Sequence, residues 1–170
     1  MPLHQDITMV KEGGRPAISL WCPLVDVDRG NGCLEVVAGS HLLGGGPRAP
    51  GTAFIGRQAE AEIRARYLRP LPLGAGQAVL MNQAVFHASP PNASATSRPV
   101  AVSVLAPREK PLVYYHRHAT GSDVRLEEFE VADDFYVRHL LGARPEQGRS
   151  LGFIREAQDR LSPAALATLL

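Results

Sequence analysis

Two cysteines in 170 residues are too few for a disulfide framework, and they stand in apolar stretches. Cys22 and Cys33 therefore read as buried, reduced thiols. An excess of either charge is also missing, since 18 Lys and Arg balance 17 Asp and Glu to a net charge of +1. The cations are scattered, so there is no basic stripe to follow a phosphate backbone, which argues against nucleic acid as a partner. No stretch approaches the roughly 20 apolar residues that a membrane helix needs. Residues 1–15 contain no apolar signal-peptide core. Internal repeats and low-complexity segments are absent. Together these absences predict a soluble, cytoplasmic chain with no membrane partner. What is present is ordinary globular composition, 45% hydrophobic and 21% charged. A single domain over 1–170 can bury about 70% of its unfolded surface, enough for a core without staples.

The apolar stretches are short and bounded by turn residues. Residues 17–25 are rich in strand formers and lie between Gly13-Gly14 and Gly30-Asn31-Gly32. A second strand over 33–37 follows that Asp/Asn/Gly turn. Further strands are expected over 77–81, 84–88, 98–106 and 112–115. Residues 57–67 change period: Ala59, Ile63 and Tyr67 fall at helical spacing, and Glu60/Arg64 and Glu62/Arg66 stand at i,i+4. That spacing predicts a short surface helix. Beyond residue 125, Phe129, Phe135 and Leu140-Leu141 predict helices, and Ser162-Pro163 caps a C-terminal one. The expected fold is mainly β with peripheral helices, a sandwich or barrel. Residues 1–107 would form its β core, and 108–170 a C-terminal strand and helices.

Candidate chemistry begins at His4-x-Asp6. Residues i and i+2 of an extended segment point the same way, so both side chains can reach one ion. Imidazole and carboxylate suit divalent iron, manganese or zinc. On spacing alone the pair is equally a chance occurrence. A third ligand should come from a distant strand, and His87 at the end of 84–88 is the candidate. The loop after it, rich in Pro, Asn and Ser, leads to Arg98, and the two flanking strands read as a hairpin. Arg98 is either a fork for a carboxylate or a surface residue at a strand start. Trp21 is equally a core residue or a pocket wall. His116-x-His118 also alternates on a strand, but no Glu stands at a spacing that would complete a site, so exposed histidines are the better account.

Taken in order, four elements are similar to the phytanoyl-CoA dioxygenase (PhyH) family. They are His4-x-Asp6, Trp21, Asn31-Gly32-Cys33-Leu34-Glu35-Val36-Val37-x-Gly39-Ser40-His41, and His87-x-Ser89-x-x-Asn92-x-Ser94-x-x-x-Arg98. The resemblance spans about residues 3–107, and none of it falls in 108–170. It implies a double-stranded β-helix (a jelly-roll, cupin-like barrel) and a non-haem iron(II)- and 2-oxoglutarate-dependent oxygenase. Such an enzyme uses O2 to hydroxylate a small organic molecule and releases succinate and CO2. By the same resemblance His4, Asp6 and His87 would be the iron ligands. Arg98 and Ser89 would bind the distal carboxylate of 2-oxoglutarate, with Trp21 lining its pocket, and His41 would be a structural or rim residue, not a ligand. A halogenase of the same fold would lack the carboxylate, so Asp6 argues against one.

The sequence departs from the family at its front. Members carry a helical region and barrel strands ahead of the His-x-Asp pair, whereas three residues precede it here. The resemblance thus implies a β-helix lacking its N-terminal elements. Two expectations follow. The ligand pair would be loosely held, because termini fray and little backbone pairing would reach it. The uncovered sheet edge would favour pairing with a second copy as a homodimer. The alternative reading is a truncated, non-catalytic jelly-roll binding module or an inactive fragment of that family.

Overall fold

The computed structural model describes residues 1–11, 14–44, 46–121, 123–156, 161 and 166. In chain order the strands are β1 (Ile18–Pro23), β2 (Leu34–Val36), β3 (Arg69–Leu71), β4 (Val79–Asn82), β5 (His87–Ala88), β6 (Val100–Leu105), β7 (Leu112–Thr120), β8 (Asp123–Val131) and β9 (Arg149–Arg155). The helices are α1 (Glu60–Arg66), which continues a 3-10 turn at Arg57–Ala59, and the short α2 (Phe135–Arg138). Three antiparallel sheets result, ordered β4-β1-β6, β3-β2-β5 and β7-β8-β9. Among the described residues no helix is long and apolar enough to cross a membrane.

Alternation along β1 buries Ser19, Trp21 and Pro23 and leaves Ile18, Leu20 and Cys22 half-buried. Trp21 joins Val79, Met81 and Val100 of its own sheet against Leu34, Val36 and Leu71 of the second. The first two sheets therefore face each other across one apolar layer, as a chain with one-sided strands must arrange them. The turn between β1 and β2 carries the chain across. Asp28 Oδ1 accepts from the amides of Gly30 and Asn31, and Asn31 Oδ1 accepts from the Asp28 amide. That is the local side-chain bonding that makes Asp and Asn turn formers. Cys33 is fully buried and Cys22 half-buried, and both thiols are free.

The surface helix forms as expected, with Arg64 on Glu60 at 2.8 Å and Arg66 on Glu62 at 3.0 Å. Its inward residues, Ala59 and Ile63, pack with Leu3, Val37, Phe86, Ala88, Leu161 and Leu166. Apart from Leu166, the residues of the helix expected from Ser162 onward lie outside the described ones.

The region beyond 125 differs from expectation. Residues 123–131 and 149–155 are strands, and the described helical residues there are those of α2 and Leu166. The cause is burial on both faces of the third sheet. Leu126 packs with Val113 and Tyr115 on one face, while Phe129 and Val131 pack with Tyr114 on the other. Apolar residues at 126 and 129 on opposite faces imitate the i,i+3 spacing of a helix, and register with β7 overrides it. Glu127 is buried because it is fully partnered. Arg144 donates to both its oxygens at 2.8 and 2.9 Å, Ser150 Oγ donates at 2.9 Å, and His118 Nε2 lies 3.1 Å away. The Arg144 hydrogen bonds, opposed by burial, hold its carboxyl down at about 2.

The N-terminal segment is held along its length, contrary to the expected fraying. His4 and His87 exchange backbone hydrogen bonds in both directions at 3.0 Å, and the Asp6 amide donates to Gln83 O at 3.0 Å. Thr8 N donates to Arg48 O at 2.9 Å, and Val113 N to Met9 O at 2.9 Å. Arg48, 4% exposed, also donates from Nε to Asp6 O at 2.7 Å. The segment behaves as an added strand because β5 and the third sheet offer it free carbonyls and amides.

Two outcomes are expected. Replacing the guanidinium in Arg48→Met should lower stability by about 1–3 kcal/mol, the loss of a charge-assisted contact. It should also speed amide exchange at Asp6 more than in β8, read by hydrogen exchange and urea unfolding. For Glu127 the depressed carboxyl contributes stability that is complete above about 4.5 and lost as pH falls toward about 2. The stability difference between wild type and Glu127→Gln should therefore shrink across that window in urea titrations, and a constant difference would contradict the assignment.

Candidate metal centre

The two-way backbone pairing of His4 with His87 puts their side chains on one side, with ring centroids 4.2 Å apart. Asp6, two residues on, returns to that side. Its Oδ1 stands 3.8 Å from His4 Nε2 and 3.5 Å from His87 Nε2. One donor atom from each of the three lies within 4.8 Å of the others, and among the described residues no other His, Cys, Asp or Glu trio does so.

Hydrogen bonding fixes which atoms face inward. His4 Nδ1 lies 2.9 Å from Pro2 O, and His87 Nδ1 lies 2.9 Å from Val85 O. A carbonyl can only accept, so each Nδ1 carries a proton, and Nε2 is the nitrogen that each ring turns toward Asp6. Burial, the largest effect, pushes the His87 imidazole below its ordinary value. The Asp6 charge and the Val85 carbonyl oppose that shift, and His4 adds to it. Asp6 Oδ2 is taken by Ser19 Oγ at 2.6 Å, leaving Oδ1 to the histidines. His4 Nε2, Asp6 Oδ1 and His87 Nε2 thus converge, a donor set of two imidazoles and one carboxylate that suits a divalent cation. The His87 side chain is 3% exposed, and those of His4 and Asp6 are 30% and 28%, so the trio is backed by His87 and open beside the other two.

A second constellation lies further along the same face of β1. The face that carries Ser19 also carries Trp21, and Arg98 Cζ stands 5.6 Å from the Trp21 ring centroid. Arg98 Nη2 donates to Ser89 Oγ at 3.3 Å, and Ser89 Oγ donates to Gly32 O at 2.8 Å. Arg98 Nε and Nη1 are buried with no hydrogen-bond partner among the described residues. Unmet guanidinium N–H groups in a protein interior are costly, and a carboxylate is their natural complement. Gly32 (φ +86°) keeps the place open, because a Cβ there would stand 2.6 Å from Pro90 O and 3.5 Å from Arg98 Nε.

The six residues singled out in the sequence therefore form two neighbouring groups, His4/Asp6/His87 and Trp21/Ser89/Arg98. The route between His87 and Arg98 differs from the expected hairpin: β5 pairs with β2 and β6 with β1, so the intervening loop crosses from one sheet to the other. Each sheet buries one face, and the crossing keeps both faces covered. His41 is exposed on the 3-10 turn Ser40–Leu43. His118 does find a glutamate, Glu127, which the spacing did not reveal because it comes from the facing strand. Arg144 and Ser150 occupy that carboxylate, and among the described residues the histidine pair completes no metal trio. Ser19 and Arg48 were not read from the sequence. A serine in phase with Trp21 on the buried face of a strand was the available signal for Ser19; Arg48 gave none.

Several solved structures resemble the chain, among them EvdMO1, AviO1 and SnoK. EvdMO1 is 28% identical over 61% of this chain and 22% of its own, with a TM-score of 0.44. AviO1 from Streptomyces viridochromogenes Tue57 is 31% identical over 65% and 45%, with a TM-score of 0.46. SnoK, a non-heme alpha-ketoglutarate-dependent carbocyclase from nogalamycin biosynthesis, is 20% identical over 90% and 55%, with a TM-score of 0.46. The chain spans from about a fifth to just over half of their lengths. No curated protein matches it. The model of the phytanoyl-CoA dioxygenase (PhyH) family matches residues 1–100, a stretch that contains both constellations and more than half of the chain. The chain belongs to the phytanoyl-CoA dioxygenase (PhyH) family.

Proposed function

We propose that this chain is a non-haem iron(II)- and 2-oxoglutarate-dependent dioxygenase that hydroxylates a small organic molecule, built on a double-stranded β-helix. The observation that carries the reading is the convergence of His4 Nε2, Asp6 Oδ1 and His87 Nε2 with both Nδ1 protons bonded elsewhere. Two imidazoles and one carboxylate fit divalent iron and leave positions for a cosubstrate and oxygen. The unpartnered Nε and Nη1 of Arg98 fit a carboxylate. Ser19 touches Asp6 and Trp21 touches Arg98, two residues apart on β1, or about 7 Å along the strand. That spacing suits a five-carbon dicarboxylate with its keto-acid end at the trio and its far end at the arginine.

In this reading each residue has a defined task. His4, Asp6 and His87 would hold the metal, with the bonds to Pro2 O and Val85 O keeping both rings aimed. Arg98 would neutralise the distal carboxylate, and Ser89 would fix the guanidinium that does so. Trp21 would wall the cosubstrate from the apolar layer between the sheets. When bound, iron(II) with 2-oxoglutarate and O2 supplies the oxidising chemistry, in which the oxo acid becomes succinate and CO2 and one oxygen atom enters a substrate C–H bond.

The test is anaerobic iron(II) titration followed by succinate release on adding 2-oxoglutarate and air. Wild type should bind the metal and release succinate, and His87→Ala should do neither. Arg98→Leu should bind iron as wild type does but weaken 2-oxoglutarate about tenfold to more than a hundredfold, equivalent to about 1.5–3 kcal/mol. Succinate release that survives His87→Ala would overturn the assignment. Iron binding with no succinate from wild type would favour a binding module instead.

A further inference from the structure

We infer that Ser19 is a positioning residue: its hydroxyl ties down one oxygen of Asp6 so that the carboxylate meets the metal through the other oxygen alone. This rests on the reading of His4, Asp6 and His87 as a metal centre. Ser19 is 2% exposed on the inward face of β1, in register with Met81 on one side and Val104 on the other. A hydroxyl between such neighbours costs free energy unless it donates. It donates to Asp6 Oδ2, 13 residues away in sequence, at 2.6 Å, the length of a charge-assisted O–H···O⁻ bond.

The rest of Asp6 is already fixed. Its amide donates to Gln83 O at 3.0 Å, and its carbonyl accepts from Arg48 Nε at 2.7 Å. The remaining freedom is that of the side chain, χ1 and the rotation of the carboxylate, and the Ser19 bond restrains both. With Oδ2 held, Oδ1 points between the two Nε2 atoms at 3.5 and 3.8 Å. A carboxylate released from Ser19 could turn both oxygens to the ion and occupy a second position, one that an incoming cosubstrate needs. The serine thereby sets how many open positions the metal offers.

Cobalt(II), whose visible bands report both affinity and coordination number, is the probe, titrated anaerobically into metal-free protein. Ser19→Ala should weaken cobalt(II) binding about 10- to 100-fold, the usual cost of removing an outer partner. Its bands should shift toward a higher protein-ligand count, and the metal-free variant should melt within a few degrees of wild type. Ser19→Thr, which keeps the hydroxyl, should restore affinity and spectrum. Unchanged binding in Ser19→Ala, or an equal loss in Ser19→Thr, would overturn the positioning role. Absence of metal uptake by wild type would instead overturn the metal centre beneath it.

Discussion

Two backbone hydrogen bonds between His4 and His87 are the constraint on which the candidate centre depends. They make residues near the first position into a strand on β5, and that pairing aligns two imidazoles whose sequence positions are 83 apart. Asp6 then arrives by the period of an extended chain. A ligand set spread over such a separation needs a framework that fixes both ends. Here the framework is backbone pairing, reinforced by Arg48, whose guanidinium reaches the Asp6 carbonyl. The closeness of the pair to the terminus is therefore no obstacle to its order.

β1 is the second organising element. Its inward face carries Ser19 and Trp21, one touching the metal trio and the other stacked near Arg98. A single strand thus sets the distance between the two halves of the site. Because β1 lies at the centre of its sheet, paired to β4 and β6, that distance is held rigidly. The apolar layer against the second sheet fixes the strand's height, so core packing and site geometry are one structure seen from two sides.

The third sheet has a different logic. It carries no part of the candidate site, yet it anchors the ligand-bearing segment through Met9 and Val10. Its own order rests on Glu127, a buried carboxylate satisfied by Arg144, Ser150 and His118. A buried charge with that many partners specifies register more strongly than an apolar residue, which would tolerate a slip.

The sequence by itself determined the strands of the first two sheets except β3 (Arg69–Leu71), the helix over Glu60–Arg66 and the six residues that now form two groups. These were legible because alternation, turn chemistry and i,i+4 pairing are local. The tertiary structure decided what depends on partners. It turned residues 123–131 from an apparent helix into a strand buried on both faces, and it made the 89–99 loop a crossing between sheets. It brought Glu127 to His118, and it recruited Ser19 and Arg48 to Asp6. The partners in each case lay beyond the sequence, because a side chain's partner across a sheet is set by register and folding, not by its neighbours in the chain.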